Sequence, residues 1–565
     1  MARIHARTGF EDRNTTAKDD LQTPLIPRVG LLFRGLPLVL IGTIGACLSP
    51  EEHRRSADEE TYAILDQRRA ELFSDEGPFS IDKDPDSLRA RILEGSYDLH
   101  PLTLAEVLEI AAENNRDYQS RREQLYLSAL DLTLERWRFA NRPFASLSGS
   151  AVGAGDVSEL TELQASAGFT RALGSGATVV ADIGASLFRL LATGDGWDAV
   201  SDLGLSITQP LLRGSGKDIV LEPLTQAERD VVYEVRAYER FRRTFAVDVS
   251  VQVYDLLQSI DELENEERNY ENLVALSERN DALAQAGRMS EVEADQARQD
   301  ELRSEARLIA LRANLDRRRD NFNFFLGLPI GVRIELDDRE FDRLTEVDEL
   351  LDGIKEGLAV DVALEDRLDY QTSVDRLEDQ GRAVRIAEDA LRAGLGISAS
   401  LASGTEEGRP VSYAVNDTLW EVGFQLDLPA DRKAERNAYR RSLISYEATI
   451  RSVESEADGI VADVRDALRN TTNARKDFEI QRGAVTLAER RVEGALLSLD
   501  AGRASTRDVL EAREALVEAQ NGATAALIDF TLARLDLYLQ LEALRVDDGG
   551  IRIDDDVARR LTQDS

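Results

Sequence analysis

The chain has 565 residues, of which 42% are hydrophobic and 31% charged, and its formal net charge is −37. That charge repels nucleic acid and anionic membrane surfaces, so neither is an expected partner; it suits a solvated surface or a water-filled passage that favours cations. One Cys, two Met and three His exclude a disulfide framework and a Cys/His metal cluster, so no cofactor and no metal site are predicted.

The N-terminal segment carries an export signal. An apolar run over 36–46 follows Arg34 and is too short for a spanning helix. Ile44-Gly45-Ala46-Cys47 resembles a bacterial lipobox, in which the Cys is acylated after cleavage, and Leu48 in the next position implies sorting to the outer membrane. We therefore predict an extension and signal peptide over 1–46 and a covalent lipid on Cys47. An ordinary signal peptide with an incidental Cys is the alternative.

Residues 47–100 are polar, with scattered Pro and Gly, and predict a loosely ordered lead-in. A first repeat is expected over 101–329. It begins with a capping box at Thr103-Leu104-Ala105-Glu106, and the helical pattern runs from there to about residue 141. Pro143 ends that pattern.

Residues 144–210 are rich in Gly, Ser, Thr and Ala and alternate between apolar and polar positions, which predicts strands. A helix is then expected over about 226–285, roughly 90 Å long at 1.5 Å per residue. Such a length is typical of a helical barrel or a coiled coil. A second helical run ends near Pro329.

The same order of elements recurs in a second repeat over 361–545, after a connecting segment over 330–360 and before a tail over 546–565. Strands are predicted within 395–428. Five apolar residues share one face of the clearest strand: Trp420, Val422, Phe424, Leu426 and Leu428. This alternation is typical of a lipid-facing barrel strand. A half-buried strand of a soluble sandwich is the alternative, but it leaves the long flanking helices unexplained.

A shared turn motif supports the repeat. Ala286-Gly287-Arg288-Met289-Ser290 matches Ala501-Gly502-Arg503-Ala504-Ser505, 215 residues later. Gly followed by Arg-x-Ser predicts a helix C-cap, a tight turn and a new N-cap, so each repeat carries a helical hairpin with its tip at this motif. Asp117-Tyr118-Gln119 and Asp369-Tyr370-Gln371 are instead 252 residues apart. The 37-residue difference predicts additional strands in the first repeat, with candidates at 162–170 and 178–187.

Over about residues 100–545 the chain resembles the TolC family of outer-membrane efflux proteins. The residues that carry the resemblance are Leu102-Thr103-Leu104 with Ala111 and Asn114-Asn115, the run Ser206 to Gly214, Phe325-Leu326-Gly327, and Gly502 with Asp508-Val509-Leu510-Glu511-Ala512. The resemblance implies a mainly α protein with a transmembrane β-barrel: a homotrimeric α-helical tunnel, continued by an outer-membrane barrel, with two tandem helix–strand–helix repeats per chain. It further implies a lipid-anchored protein of the bacterial outer membrane with a large periplasmic part.

The resemblance also assigns roles to the hairpin tips. Tip residues Gly287, Arg288, Ser290, Gly502, Arg503 and Ser505 would dock a periplasmic adaptor protein, which connects the channel to an inner-membrane pump. Asp508, Glu511 and Glu293 would form an acidic ring at the tunnel entrance, or would be ordinary solvated acids. The resemblance places latch residues at two positions that hold Leu499 and Ala504 here, and Arg503 and Arg507 are nearby candidates to replace them.

No catalytic residues are predicted. The three His, at positions 5, 53 and 100, all precede the repeats, and no Walker motif occurs. A periplasmic coiled-coil structural lipoprotein without a channel is the main alternative function. A periplasmic adaptor is expected to carry a biotinyl-lipoyl-like β module, and the sequence does not show one. A peptidoglycan-acting enzyme needs catalytic residues, and none are predicted here.

Overall fold

The structure is a computed structural model that describes residues 49–73, 78–83, 85–95, 100–154, 157–190, 198–337, 339–344, 351, 353–406, 409, 412–413, 418–547 and 549–562. The first part of the chain contains helices α1 (Pro50–Leu72), α2 (Leu88–Glu94), α3 (Leu104–Asn114) and α4 (Arg116–Phe139), strands β1 (Arg142–Ala154), β2 (Val157–Ala172), β3 (Thr178–Leu190) and β4 (Asp198–Pro210), and helices α5 (Lys217–Val220), α6 (Glu222–Gln285) and α7 (Glu291–Phe325).

The second part repeats the order helix, strands, long helical hairpin. It contains α8 (Arg339–Leu344), α9 (Glu356–Asp366), α10 (Leu368–Asp389), β5 (Gly394–Gly404), β6 (Leu419–Asp427), α11 (Lys433–Asp500), α12 (Thr506–Gln540), β7 (Leu544–Asp547), β8 (Gly550–Ile553) and α13 (Asp555–Thr562). The two strand regions and the two hairpins are confirmed. The additional strand candidates at 162–170 and 178–187 lie within β2 and β3. The longest helices, α6 and α11, have 64 and 68 residues, which corresponds to about 100 Å each at 1.5 Å per residue.

The strands β1 to β6 form one antiparallel sheet in sequence order among the described residues. The two repeats meet within it, because β4 pairs with β5 from Asp202 opposite Gly404 to Pro210 opposite Gly396. Helices join the sheet at one end: α4 leads into β1, β4 into α5 and α6, α10 into β5, and β6 into α11. In the described chain β1 and β6 do not pair with each other, so the sheet is open at both edges.

The long helices pack in two rows that share α6 and α11. Next to the sheet, α4 packs on α6, α6 on α10, and α10 on α11. Toward the hairpin tips, α7 packs on α6, α6 on α12, and α12 on α11. Each row is therefore four helices wide in the described part of the chain.

The helix expected to run from Thr103 to about residue 141 is interrupted, so that prediction was wrong at Asn115. The Asn115 backbone is extended, at φ −68° and ψ 134°, and its side-chain oxygen accepts hydrogen bonds from the backbone amides of Asp117 and Tyr118. Its side-chain amide donates to the Phe325 carbonyl at 2.7 Å. The break thus seats the start of α4 against the end of α7.

Where the structure describes it, the lead-in is more ordered than its polar composition predicted. Ser49 caps α1 through a hydrogen bond from the amide of Glu52, and Ile64 and Leu65 on the same helix are buried. Their neighbours in the core are Phe79, Leu125 and residues of α6. The apolar residues of α1 are few, so its order depends on packing against distant segments.

The tail over 546–565 is also folded where the structure describes it. The β7–β8 hairpin pairs Leu544 with Ile553. Val557 and Leu561 of α13 are buried in a core that includes Val362 of α9 and Leu537 of α12. The second repeat therefore continues past residue 545 into a small capping unit beside the connecting segment.

Candidate functional site

One face of the six-stranded sheet is apolar across its whole width. Residues directly opposite each other in an antiparallel sheet lie on the same face. One complete row runs across the six strands as Pro143, Phe169, Ala181, Leu205, Leu401 and Trp420. Trp420 and Phe424 on β6 are 74% and 79% exposed, and Leu147 on β1 is 71% exposed. The apolar face therefore extends from one edge of the sheet to the other and is open.

The strand residues predicted to face lipid belong to this face. Trp420, Val422, Phe424 and Leu426 lie in β6, opposite Leu401, Ala399, Ile397 and Leu395 of β5, and all four are exposed. Leu428 follows the last residue of β6 and is exposed as well. Their shared placement on one open face is the structural feature that the alternation in sequence predicted.

The opposite face is small and polar. On this face, the row of directly opposed residues adjacent to the Pro143 row consists of Arg142, Thr170, Val180, Ser206, Ser400 and Glu421. Two acids on this face, Asp182 and Asp202, each lie opposite a Gly of the neighbouring strand, Gly204 and Gly184. A Cβ at Gly184 would lie 2.4 Å from Asp202 Oδ1, so glycine makes room for these carboxylates. This pair was not predicted, although the Asp-x-Gly spacing occurs in the sequence of both strands.

The two hairpin tips have the same geometry. Gly287 and Gly502 adopt φ of 68° and 66°, the left-handed conformation that glycine accepts at least cost. After Gly287 the amide of Arg288 donates to the Leu283 carbonyl at 2.9 Å, and after Gly502 the amide of Arg503 donates to the Ser498 carbonyl at 2.8 Å. These bonds satisfy carbonyls at the helix ends. The predicted C-caps and turns are confirmed at both tips.

The predicted N-caps are confirmed too, and they give two of the three candidate acids a local partner. Ser290 accepts a hydrogen bond from the Glu293 amide while the Glu293 carboxylate accepts one from the Ser290 amide at 3.3 Å. Asp508 makes the same box with Ser505, whose amide donates to it at 2.7 Å. Hydrogen bonds from the Ser505 amide and hydroxyl lower the pKa of Asp508. Both carboxylates therefore cap α7 and α12.

The third candidate acid, Glu511, forms an exposed ion pair with Arg507 at 2.9 Å on the same helix. Leu499, at one of the family's latch positions, packs beside the small cluster of Leu273, Leu276, Val509 and Leu510. Arg503 and Ala504 lie in the turn itself. All three acids lie within two turns of a hairpin tip, so an entrance role stays a prediction that their positions permit.

The two hairpins are held together near their tips. The side chain of Asn280, which is fully buried, donates to the Thr506 hydroxyl at 3.1 Å, and Arg279 pairs with Asp500 at 2.6 Å. Farther from the tips, the Asn265 side-chain amide donates a hydrogen bond to the Asn521 side-chain oxygen at 2.9 Å. These contacts link α6 to the second hairpin, so the two tips lie side by side.

A buried ionic junction ties the end of α12 to α6 and α10. Glu542 has φ of 55°, and its carboxylate contacts Arg240 at 2.5 Å and Arg243 at 2.8 Å. Arg240 also reaches Asp369 at 3.2 Å. Burial raises the pKa of Glu542 although both arginines oppose that shift. This junction was not predictable from the sequence because its members are up to 302 residues apart.

Other predicted features fall outside these sites. Cys47 lies outside the described residues. In the described residues no group of His, Cys, Asp or Glu side chains is suited to hold a metal ion. None of the described helices combines the length and the apolar character needed to cross a bilayer.

Known structures share this architecture. The Campylobacter jejuni CmeC outer membrane channel aligns with a TM-score of 0.56 at 14% identity, over 87% of this chain and 95% of that one. The Vibrio cholerae outer membrane protein VceC aligns with a TM-score of 0.55 at 13% identity, over 78% and 95%. CusC, described in terms of transmembrane channel formation, aligns with a TM-score of 0.57 at 12% identity, over 78% and 91%.

The chain has the fold of the TolC-like outer-membrane channels. The fold expected from the sequence resemblance is thereby confirmed at the level of helices, strands and their order. No protein-family model matches the sequence, and neither does any curated protein. At 12–14% identity to these three structures, the likeness concerns the backbone and assigns no role to a residue of this chain.

Proposed function

We propose that three copies of this chain form a channel in the bacterial outer membrane, through which solutes pass from the periplasm to the exterior. The observation that carries the proposal is the apolar face that crosses all six strands and is open along its length. Soluble monomers rarely expose a contiguous apolar surface of this extent. A bilayer covers such a face when the sheet closes into a barrel with its polar face inward.

The helices supply the rest of the passage. The rows of four helices continue from the end of the sheet, and three copies would surround a tunnel of twelve helices. The small and acidic polar face of the sheet, together with the net charge of −37, would favour hydrated cations over anions in that passage.

The hairpin tips suit a docking partner. Both tips end in an Arg-x-Ser turn, and in the described part of the chain no atom beyond the adjoining residues lies within 4 Å of where a Cβ on Gly287 or Gly502 would be. We assign these tips, with Arg288, Ser290, Arg503 and Ser505, to a periplasmic adaptor protein that connects the channel to an inner-membrane pump. A lipid on Cys47 would hold the N-terminal end of the chain at the outer membrane. No cofactor and no catalytic step are part of this function.

Adjacent residues of β6 test the proposal. Phe424 lies on the apolar face and Gln425 on the polar face, and both are exposed. Phe424→Arg places a charge against lipid, which should cost about 2–4 kcal/mol near the middle of the bilayer. We expect a large loss of oligomer from the outer-membrane fraction for Phe424→Arg and near-normal amounts for Gln425→Arg.

The same pair separates the proposal from its main rival. A periplasmic coiled-coil lipoprotein has no strand in contact with lipid, so both substitutions would add one charge to a solvated sheet. Equal amounts of folded protein from the two variants would therefore favour the structural lipoprotein and contradict the channel.

A further inference from the structure

Among the described residues, the two repeats contribute unequal numbers of strands to the six-stranded sheet. The first repeat supplies β1 to β4 and the second supplies β5 and β6. Equal repeats of two strands each would give four strands per chain. The additional strands, β2 and β3, form a hairpin between β1 and β4, and their role depends on whether they belong to the barrel wall or project from it.

The side chains of β2 and β3 alternate between an apolar and a polar face, as those of the neighbouring strands do. Ile183 of β3 lies directly between Ala167 of β2 and Leu203 of β4, and it is 47% exposed. On the opposite face, Ser186 of β3 lies across from Gln164 of β2. Both faces of a hairpin that projects into water would be solvated, so an apolar face in register with the neighbouring strands is not expected there.

The turn of the same hairpin is anchored at the end of the sheet where the helices begin. The Ser175 hydroxyl donates to the Gln209 side-chain oxygen at 3.0 Å, and the Gln209 amide donates to the Ser175 carbonyl at 3.0 Å. Gly176 approaches the strand-to-helix exit so closely that a Cβ on it would lie 2.8 Å from the Gly214 carbonyl oxygen. The β2–β3 hairpin therefore starts at the same level as the strands on either side of it.

The width of the helical layer matches six strands better than four. Strands about 4.8 Å apart and tilted by about 40° occupy roughly 38 Å of barrel circumference for six strands and roughly 25 Å for four. A row of four helices at about 9–10 Å spacing occupies roughly 38 Å. With six strands per chain, the sheet can continue the helical layer without a change in circumference.

The open edges fit a second copy of this chain. Because strands alternate in direction and their number is even, β6 of one copy and β1 of the next are antiparallel. Both edges carry the apolar face, with Leu147 on β1 and Trp420 on β6. Unpaired strand edges in a bilayer are costly, so closure by neighbouring copies satisfies both.

We propose that all six strands of each chain belong to one closed barrel, so that three copies form a wall of eighteen strands. The inference rests on the three-copy channel proposed above. For eighteen strands the backbone cylinder has a radius of about 18 Å, against about 12 Å for twelve. The barrel end of the passage then has about twice the cross-section that equal repeats would give, which suits bulky hydrated solutes.

A pair of substitutions on β3 tests the placement of the additional hairpin. Ile183→Arg puts a charge on the lipid side of the proposed wall, and Ser186→Arg puts the same charge on the water side. We expect Ile183→Arg to lower the membrane-inserted oligomer by about tenfold or more and Ser186→Arg to change it little. Equal, near-normal insertion of both variants would overturn the inference, because it would place β3 outside the bilayer wall.

Electron cryo-microscopy of the detergent-solubilised full chain gives the strand number directly. We expect eighteen strands in three copies, and a twelve-stranded ring after deletion of 157–190, which joins the antiparallel strands β1 and β4. A full-length ring of twelve strands with β2 and β3 outside it would overturn the inference and leave the proposed channel standing. Particles without any ring of strands would contradict the channel itself.

Discussion

Replacement of Glu542 should weaken the junction between the two repeats. Its side chain is 2% exposed, and it pairs with Arg240 and Arg243 of α6. Removing one partner of a buried ion pair typically costs about 3–5 kcal/mol, because the opposite charge stays buried without compensation. When Glu542 is replaced, Arg240 still has its ion pair with Asp369 and Arg243 still has its ion pair with Glu239, each at 3.2 Å. We therefore expect Glu542→Ala to cost about 3 kcal/mol, the lower end of that range.

The backbone at this position separates the ionic effect from strain. Glu542 has φ of 55°, a conformation that costs a non-glycine residue about 1 kcal/mol or more. Glu542→Gly loses the same carboxylate but releases that strain, so it should cost about 1 kcal/mol less than Glu542→Ala. Glu356→Ala is the matched control, since Glu356 forms an exposed pair with Arg465 at 2.7 Å and should cost no more than about 1 kcal/mol.

Urea unfolding of the purified variants in detergent, followed by far-ultraviolet circular dichroism, measures these differences. The expected order of stability is wild type, Glu356→Ala, Glu542→Gly, Glu542→Ala. If Glu542→Ala is as stable as Glu356→Ala, the junction does not hold the repeats together. If the Gly variant is less stable than the Ala variant, the positive φ of Glu542 does not strain the backbone.

Two further predictions concern the hairpins. Gly327→Ala should cost about 3 kcal/mol or more in urea unfolding, because φ is 74° and a Cβ would lie 2.1 Å from the Asn114 carbonyl oxygen, whereas Gly287→Ala, with φ of 68° and open space, should cost about 1 kcal/mol. Similar costs would show that α7 does not seat against the α3–α4 break. Replacement of both Asp508 and Glu511 by Ala should raise single-channel conductance or weaken block by divalent cations; an unchanged channel would remove these acids from the entrance.

Local chemistry explains what the sequence could predict. The tips were predictable because a Gly C-cap and a Ser N-cap act within five residues, and the structure shows both at Gly287–Ser290 and at Gly502–Ser505. The apolar face of β6 was predictable because a period of two along the strand needs no knowledge of its partners. The additional strands were predictable because the two motifs shared by the repeats are separated by different distances, 215 and 252 residues.

Long-range contacts explain the features that the sequence could not predict. The order of α1 depends on packing with Phe79, Leu125 and α6, which its own polar sequence does not show. The break at Asn115 combines a local N-cap with a hydrogen bond to the Phe325 carbonyl, 210 residues away, and the sequence around Asn115 does not show that second contact. Among the candidate acids, the sequence suggested an entrance for Asp508 and Glu293, and the structure adds that both carboxylates cap helices.

The most direct test of the channel is the behaviour of a variant in which a cleavable signal peptide without Cys replaces residues 1–47, so that the apolar run over 36–46 and the proposed lipid are both absent. Any need for detergent then arises from the protein itself. Analytical ultracentrifugation should show a detergent-bound trimer, and the same trimer should conduct ions in a planar bilayer. A water-soluble monomer that does not conduct would contradict the account, because the apolar face of the sheet would then not be in contact with lipid.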